Sequence, residues 1–197
     1  MGAPSGNREE RKTGRLKEFA AGVNRLLLIT GRPGVGKTTV IREVADSLSG
    51  RALGGFYTEE IRGHSERRGF RLVTFAGRER VMADIGIRGP HRVGRYGVDV
   101  SAIDELAGPA LALKEETEIY LVDEIGKMEC FSQKFVSAMR DLLDSRKIVI
   151  ATIAQKGGGF IEEVRQRRDP LEVEITRENR DQCPGQILAW LESAKGA

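Results

Sequence analysis

The chain has 197 residues, which is enough for one well-filled α/β domain and too few for two of ordinary size. Charged residues make up 31% of it and hydrophobic residues 40%, the balance of a soluble globular protein, and no apolar run reaches the length of a membrane span. The formal net charge is +3, and because basic residues are mixed with acidic ones along the chain, no basic face indicates a nucleic-acid partner.

The first segment, residues 1–24, is polar and charged and lacks the apolar core of a signal peptide. We expect it to be a flexible N-terminal extension that precedes one folded domain over residues 25–197.

Cys130 and Cys183 are the only cysteines, and their spacing matches neither a zinc site nor a disulfide framework. Two reduced thiols and the lack of a targeting segment predict a cytoplasmic protein.

The most informative segment of the chain follows the apolar run at 26–30. Residues 31–38 read G-x-x-x-x-G-K-T, the pattern of a P-loop. Apolar residues at helical spacing come next, from Val40 to Leu48. A strand, a glycine-rich loop and a helix in this order direct backbone N–H groups and a helix N-terminus at a triphosphate. The sequence therefore predicts a nucleoside triphosphate site formed by Gly31, Arg32, Pro33, Gly34, Val35, Gly36, Lys37, Thr38 and Thr39.

After this helix the pattern changes to strands that follow one another without a helix between them. They are predicted at 52–61, 70–75 and 81–85, which favours an antiparallel insert on the edge of a sheet. Ser101 then begins a segment that resembles a capping box, and a helix is predicted from there to about residue 113. Pro109 falls inside that helix and predicts a kink or a break.

Strands and helices alternate over the rest of the chain, which predicts a mostly parallel sheet covered by helices on both faces. The predicted elements are a buried strand at 119–122, a helix at 131–143, a core strand at 148–153, a basic helix at 160–168, a half-buried or edge strand at 171–175, and a last helical region that Thr176 caps and Pro184 interrupts.

Two acidic residues, Asp123 and Glu124, end the strand predicted at 119–122. Ligands of open α/β sheets lie beyond the carboxyl ends of the strands, so this pair is expected beside the P-loop. Asp123 and the Thr38 hydroxyl could then hold the Mg²⁺ that bridges the β- and γ-phosphates. Glu124 could orient or deprotonate a water, because His64 and His91, the only histidines, lie outside these motifs.

Four segments of the chain resemble one known family. The segment at 123–129, D-E-I-G-K-M-E, is the most specific, and the segments at 55–62, 93–99 and 178–181 occur in the matching order. The chain resembles the THEP-type nucleoside triphosphatases, called cancer-related nucleoside-triphosphatases in vertebrates. The resemblance covers the chain from about Leu26 to the last helix.

This resemblance implies a three-layer P-loop fold of the RecA-like kind, in which the glutamate beside the metal-site aspartate activates water. The implied activity is Mg²⁺-dependent hydrolysis of ATP, GTP, CTP and similar nucleotides to the diphosphate and phosphate, by a protein that we expect to be a monomer. Arg62 and Lys127 match family positions and are candidates for action near the γ-phosphate. Asn179 and Arg180 also match, either near the base or as a structural helix start.

Two other functions remain open from the sequence. A P-loop kinase for a nucleoside or small metabolite shares the loop and the fold, and the arginines of the 55–95 region could serve its acceptor or its lid. A regulatory GTP-binding protein is the second alternative. Against it, the chain has no N-K-x-D string to read guanine.

Overall fold

The computed structural model describes residues 24–63 and 66–195. The predicted N-terminal extension, except for Asn24, and His64 lie outside the described residues. Among the described helices, none combines the length and the apolar character needed to cross a membrane.

The described residues form one nine-stranded sheet and five α-helices, with a short 3₁₀ helix at Glu129–Phe131. The strands are β1 (Leu26–Gly31), β2 (Leu53–Arg62), β3 (Arg67–Thr74), β4 (Glu79–Asp84), β5 (Arg92–Val93), β6 (Tyr96–Val98), β7 (Ile119–Ile125), β8 (Ile148–Ile153) and β9 (Leu171–Ile175). The helices are α1 (Lys37–Ser47), α2 (Val100–Leu111), α3 (Gln133–Leu143), α4 (Phe160–Arg165) and α5 (Cys183–Lys195).

The strand order is β5-β6-β4-β3-β2-β7-β8-β1-β9. The five strands from β2 to β9 pair in parallel, and β3, β4, β6 and β5 extend the sheet beyond β2 in antiparallel pairs. This confirms the predicted parallel sheet with an antiparallel insert at one edge. It also places β8 between β1, which leads into the P-loop, and β7, which carries the acidic pair.

Helices cover both faces of the sheet, as the alternation of elements predicted. Along β1, Leu26 and Leu28 face one apolar core, and Leu27 and Ile29 face the other. The first core is completed by side chains of α2, α3 and α4, and the second by side chains of α1 and α5. A strand buried on both faces needs apolar residues at every position, which explains its continuous run of apolar residues.

The ends of three helices differ from the prediction. Helix α2 is capped by Asp99, whose carboxylate accepts from the Ala102 amide at 3.1 Å, while Ser101 lies inside the helix and donates to Asp99. Of the kink or break predicted at Pro109, the break is absent, because α2 continues to Leu111, whose side chain is buried in the core.

The C-terminal helix also begins later than predicted. Helix α5 starts at Cys183, seven residues after Thr176, so Thr176 does not cap it. Pro184 is the second residue of α5 and does not interrupt it, because amides of the first helical turn have no partner within the helix. Helix α4 ends at Arg165, three residues before the predicted end.

Candidate active site

The P-loop connects β1 to the N-terminus of α1, and most of it lines a cavity of about 1130 Å³. Asp123 and Glu124 line the same cavity, so the structure brings the two predicted halves of the site together. Two of the predicted P-loop residues do not line it. Val35 is buried beneath the loop in the core shared with α1, and the Arg32 side chain is exposed.

Asp123 is held by hydroxyl groups from three separate elements. Its side chain is buried, with 2% of its surface exposed. Thr38 in α1 donates to Asp123 Oδ2 at 2.5 Å, Thr58 in β2 donates to the same oxygen at 3.3 Å, and Thr152 in β8 donates to Oδ1 at 2.7 Å. These donors fix the orientation of a carboxylate that burial would otherwise destabilise.

Thr58 and Thr152 were not predicted as site residues. Each lies in a strand directly beside β7, one on each side. A hydroxyl near the end of a predicted strand is a weak signal, and it becomes informative only when the neighbour of that strand is known.

Glu124 lies next to the P-loop lysine. Lys37 Nζ is 3.7 Å from Glu124 Oε2 and donates to the carbonyl of Gly31 at 3.2 Å. Burial raises the pKa of Glu124 above its ordinary value, Lys37 opposes the increase, and the charge of Asp123 adds to it. A carboxylate with a raised pKa is a stronger base, which suits proton abstraction from water near neutral pH.

A third acidic side chain, Glu129, also lines the cavity. It is only 5% exposed, and burial together with the nearby charge of Glu124 raises its pKa to about 8. Glu129 ends the family-like segment at 123–129, and the sequence predicted no role for it. The signal that could have found it is a third acidic residue five positions after Glu124 in the same segment.

Arg62 and Lys127, the candidate cations, both line the cavity. Arg62 is the last residue of β2, is 77% exposed, and pairs with Glu60 at 2.9 Å. Lys127 is exposed and forms no ion pair with any residue that the structure describes. Both side chains therefore lie in the same cavity as the P-loop and the acidic pair.

Asn179 and Arg180 have different surroundings. The side chain of Asn179 connects a turn to β9. Its Nδ2 donates to the backbone carbonyl of Glu174 at 2.9 Å, and its Oδ1 accepts from the backbone N–H of Thr176 at 2.8 Å. This favours the structural role for Asn179. Arg180 instead lines a smaller cavity of about 260 Å³ together with Gly36 and Thr39, at the side of the P-loop away from Glu124.

The residues present fit a magnesium ion that is bound together with phosphates. Thr38 and Asp123 put two oxygen ligands side by side, and oxygen ligands are what Mg²⁺ prefers. No group of three or more His, Cys, Asp or Glu side chains that could hold a metal occurs in the described part of the chain. A P-loop site agrees with this, since Mg²⁺ there keeps waters and takes ligands from the substrate.

The cysteine near the site is not an activated thiol. Burial raises the pKa of Cys130 to about 12, and the neighbouring Glu129 adds to the increase. A thiol with so high a pKa is protonated at neutral pH and is a poor nucleophile. Cys130 is instead a packing residue, partly buried against the core.

Comparison with known proteins identifies relatives over almost the whole described chain. A family model described as NTPase matches residues 26–188. The nucleoside-triphosphatase THEP1 of Thermotoga maritima is 40% identical over 171 residues, which cover 86% of this chain and 97% of that protein. The cancer-related nucleoside-triphosphatase of Homo sapiens is 36% identical over 187 residues, covering 87% of this chain and 98% of that protein.

Two solved structures are similar. The crystal structure of THEP1 from Aquifex aeolicus superimposes with a TM-score of 0.77 at 38% identity, and 84% of this chain and 98% of that chain are covered. The solution structure of a human cancer-related nucleoside triphosphatase gives a TM-score of 0.73 at 37% identity, with 86% and 98% covered.

Proposed function

The chain belongs to the family of THEP1-type nucleoside triphosphatases, and from this premise we propose that its site hydrolyses the terminal phosphoanhydride of ATP, GTP and other nucleoside triphosphates in a Mg²⁺-dependent reaction. The family hydrolyses nucleoside triphosphates, and the relatives reported above are named for that activity rather than for phosphoryl transfer to a metabolite. The kinase and switch alternatives have no comparable support.

The observation that carries the proposed site is the junction of the P-loop with the acidic pair. Thr38 contacts Asp123, and Lys37 contacts Glu124, through two short links between residues 85 or more positions apart. In this arrangement Lys37 and the backbone amides of the loop hold the β- and γ-phosphates. Thr38 and Asp123 would hold Mg²⁺, which supplies neutralisation of the charge on those phosphates when it is bound.

Glu124 is the residue we assign to the water. Its carboxylate accepts a proton as the water oxygen bonds to the γ-phosphorus and the bond to the β-phosphate oxygen breaks. The products are the nucleoside diphosphate and inorganic phosphate. Lys37 neutralises the developing charge, and Arg62 and Lys127, which line the cavity, are placed to contribute further positive charge.

The loop contacts only phosphates, so it does not distinguish one base from another. This is the reason we propose a broad range of nucleotides. We also propose a cytoplasmic location, because Cys130 and Cys183 are free thiols. That the protein acts as a monomer, and that one domain spans residues 25–197, stay predictions.

The test is phosphate release from ATP, GTP, CTP and UTP, measured separately with excess Mg²⁺ and with EDTA, and without any added acceptor. We expect release from all four nucleotides with Mg²⁺ and almost none with EDTA. No release until a metabolite is added would support a kinase instead. Release from GTP alone would support a regulatory GTP-binding protein.

A further inference from the structure

The cavity is larger than one nucleotide site requires. Its volume of about 1130 Å³ exceeds the roughly 300–1000 Å³ of a pocket for one drug-sized ligand. It begins at the P-loop, passes the acidic pair, and continues along the antiparallel insert. The insert contributes Arg67 and Phe70 from β3, Met82 from β4, and Val93, Gly94 and Tyr96 from the β5–β6 hairpin.

The nucleotide is expected at the other end of this cavity. In a P-loop the backbone holds the α- and β-phosphates and the lysine reaches the β- and γ-phosphates. Glu124 contacts Lys37 and so marks the γ-phosphate end. The nucleoside of the bound nucleotide then extends in the opposite direction, toward Gly36, Thr39 and the smaller cavity beside Arg180.

The side chains that the insert contributes to the cavity lie beyond the γ-phosphate. Three strand spacings separate β4 from β7, since β2 and β3 lie between them, and at about 4.8 Å each this is roughly 14 Å. A phosphate bound at Lys37 and Glu124 does not fill that space. The part of the cavity between Glu124 and the insert is hereafter the insert subsite.

The insert subsite offers apolar contact surface. Phe70, Val93 and Met128 are partly buried side chains at the margin of the core, and each lines the cavity. Phe70 is held edge-on against Tyr96, with ring centroids 5.3 Å apart, and the Arg67 guanidinium lies 5.1 Å from the Phe70 centroid. Rings fixed in this way can receive a flat ligand ring with little loss of conformational entropy.

The insert subsite also carries excess positive charge. Arg62 and Arg67 share one carboxylate, that of Glu60, at 2.9 and 2.6 Å. Lys127 has no ion-pair partner among the described residues, so three cations share one paired carboxylate, while Glu124 and Glu129 line the cavity at the end nearer the P-loop. A local excess of positive charge attracts the phosphate of a small ligand.

We propose that the insert subsite binds a second small molecule, a flat ring bearing a phosphate, of the nucleoside monophosphate class, while the nucleoside triphosphate occupies the P-loop. The ring lies against Phe70, Val93 and Met128, and the phosphate faces Arg62, Arg67 and Lys127. This inference rests on the proposed function for the direction of the nucleotide, and it adds a ligand that hydrolysis itself does not require.

The test is calorimetric titration of AMP, GMP, CMP and UMP, each in turn, into the full chain with and without saturating Mg²⁺ and adenylyl imidodiphosphate, a non-hydrolysable triphosphate. We expect one site per chain for at least one monophosphate in the presence of the analogue. Inorganic phosphate, ribose 5-phosphate and uncharged nucleosides should each bind at least about tenfold more weakly, because each lacks either the ring or the charge.

Two variants locate the ligand. Val93→Glu places a negative charge on the wall and should weaken monophosphate binding about tenfold or more, whereas Val93→Gln, of the same size without the charge, should weaken it less. Analogue affinity is measured for both variants, and loss of monophosphate binding with the analogue still bound locates the monophosphate in the insert subsite. Phe70→Leu keeps an apolar side chain and should reduce the preference for ring-bearing ligands over ribose 5-phosphate.

Three results would overturn the proposal: no monophosphate binds, the analogue displaces the monophosphate, or Val93→Glu binds it as tightly as the unaltered chain does. Failure of the proposed function gives a different result. In that case the analogue does not bind or phosphate is not released, while the titrations without analogue and the Val93 variants still decide whether the insert subsite is occupied.

Discussion

At the residue scale, the site depends on how buried carboxylates are balanced. Asp123 accepts hydrogen bonds from three hydroxyl groups, and Glu124 forms an ion pair with one lysine. Glu129 has neither a lysine nor an arginine partner among the described residues. The pKa of Glu124 is raised and that of Glu129 is raised to about 8. Both glutamates therefore bind a proton more tightly than an exposed glutamate does, as is common at functional sites.

Glu124→Gln should keep nucleotide binding and lower turnover by about 10²–10⁴-fold, the usual loss for a general base. The amide has the shape of the carboxylate but cannot accept the proton. Steady-state phosphate release and analogue affinity measure the two effects separately. Glu116→Gln, an exposed substitution in the loop before β7, is the matched control and should leave both unchanged. Unimpaired turnover in Glu124→Gln would assign the base elsewhere.

Glu129 should make stability depend on pH. Its pKa is about 8 in the folded chain and 4.5 when unperturbed, so the stability it contributes is fully present below about pH 4.5 and is lost as the pH rises through 8. Glu129→Gln removes this dependence. In urea unfolding with EDTA and without nucleotide, the free energy of unfolding of the variant should rise relative to that of the unaltered chain between pH 5 and 8.5. A constant difference, as expected for Glu116→Gln, would contradict the assignment.

At the scale of elements, the pairing of β2 with β7 connects the insert to the site. Gly55 in β2 lies opposite Leu121 in β7, and three residues later β2 delivers Thr58 to Asp123. Gly55 has φ +97°, and a Cβ there would lie 2.0 Å from the carbonyl oxygen of Leu121. The close approach of the two strands thus requires a glycine at this position.

Gly55→Ala should lower the free energy of unfolding by more than Gly77→Ala does. Gly77 also has a positive φ, +80°, but a Cβ there would meet nothing within 4 Å, so its substitution carries only the conformational cost of about 1–2 kcal/mol. Gly55→Ala adds a backbone clash that displaces β2 from β7. Urea denaturation of both variants measures the two losses, and equal losses would show that β2 can shift without cost.

At the scale of the whole molecule, ligand binding should stabilise the fold through the P-loop. A ligand that binds only the folded chain adds about 2.7 kcal/mol at 100 times its Kd, or roughly 5–10 °C in Tm for a domain of this size. Adenylyl imidodiphosphate with Mg²⁺ should produce this shift, and EDTA should reduce it. Lys37→Ala should abolish it, because Lys37 is the charge partner of the β- and γ-phosphates.

Differential scanning calorimetry measures these shifts, and Lys134→Ala on the exposed face of α3 is the control that should retain the full effect. An undiminished shift in Lys37→Ala would place the triphosphate outside the P-loop. A shift that EDTA does not change would argue against a metal at Thr38 and Asp123.

The sequence by itself determined the features that depend on neighbours along the chain. The P-loop is one contiguous segment, the buried strands are continuous apolar runs, and the acidic pair ends one of them, so the loop, the alternation of elements and the position of the acidic pair beside the loop were predictable. Where local patterns compete with packing, the sequence misleads: α2 does not break at Pro109 and Pro184 does not interrupt α5, because the buried helix face and the position within the helix decide the outcome.

Only the tertiary structure decided which strands are neighbours. Thr58 and Thr152 meet Asp123 because β2 and β8 flank β7, and no local signal in the sequence specifies that order. The insert subsite arises in the same way, from strands that continue the sheet past β2 and lie far from the P-loop in the chain. Strand order is the sum of many packing contacts between distant segments, so a pattern within any one segment does not contain it.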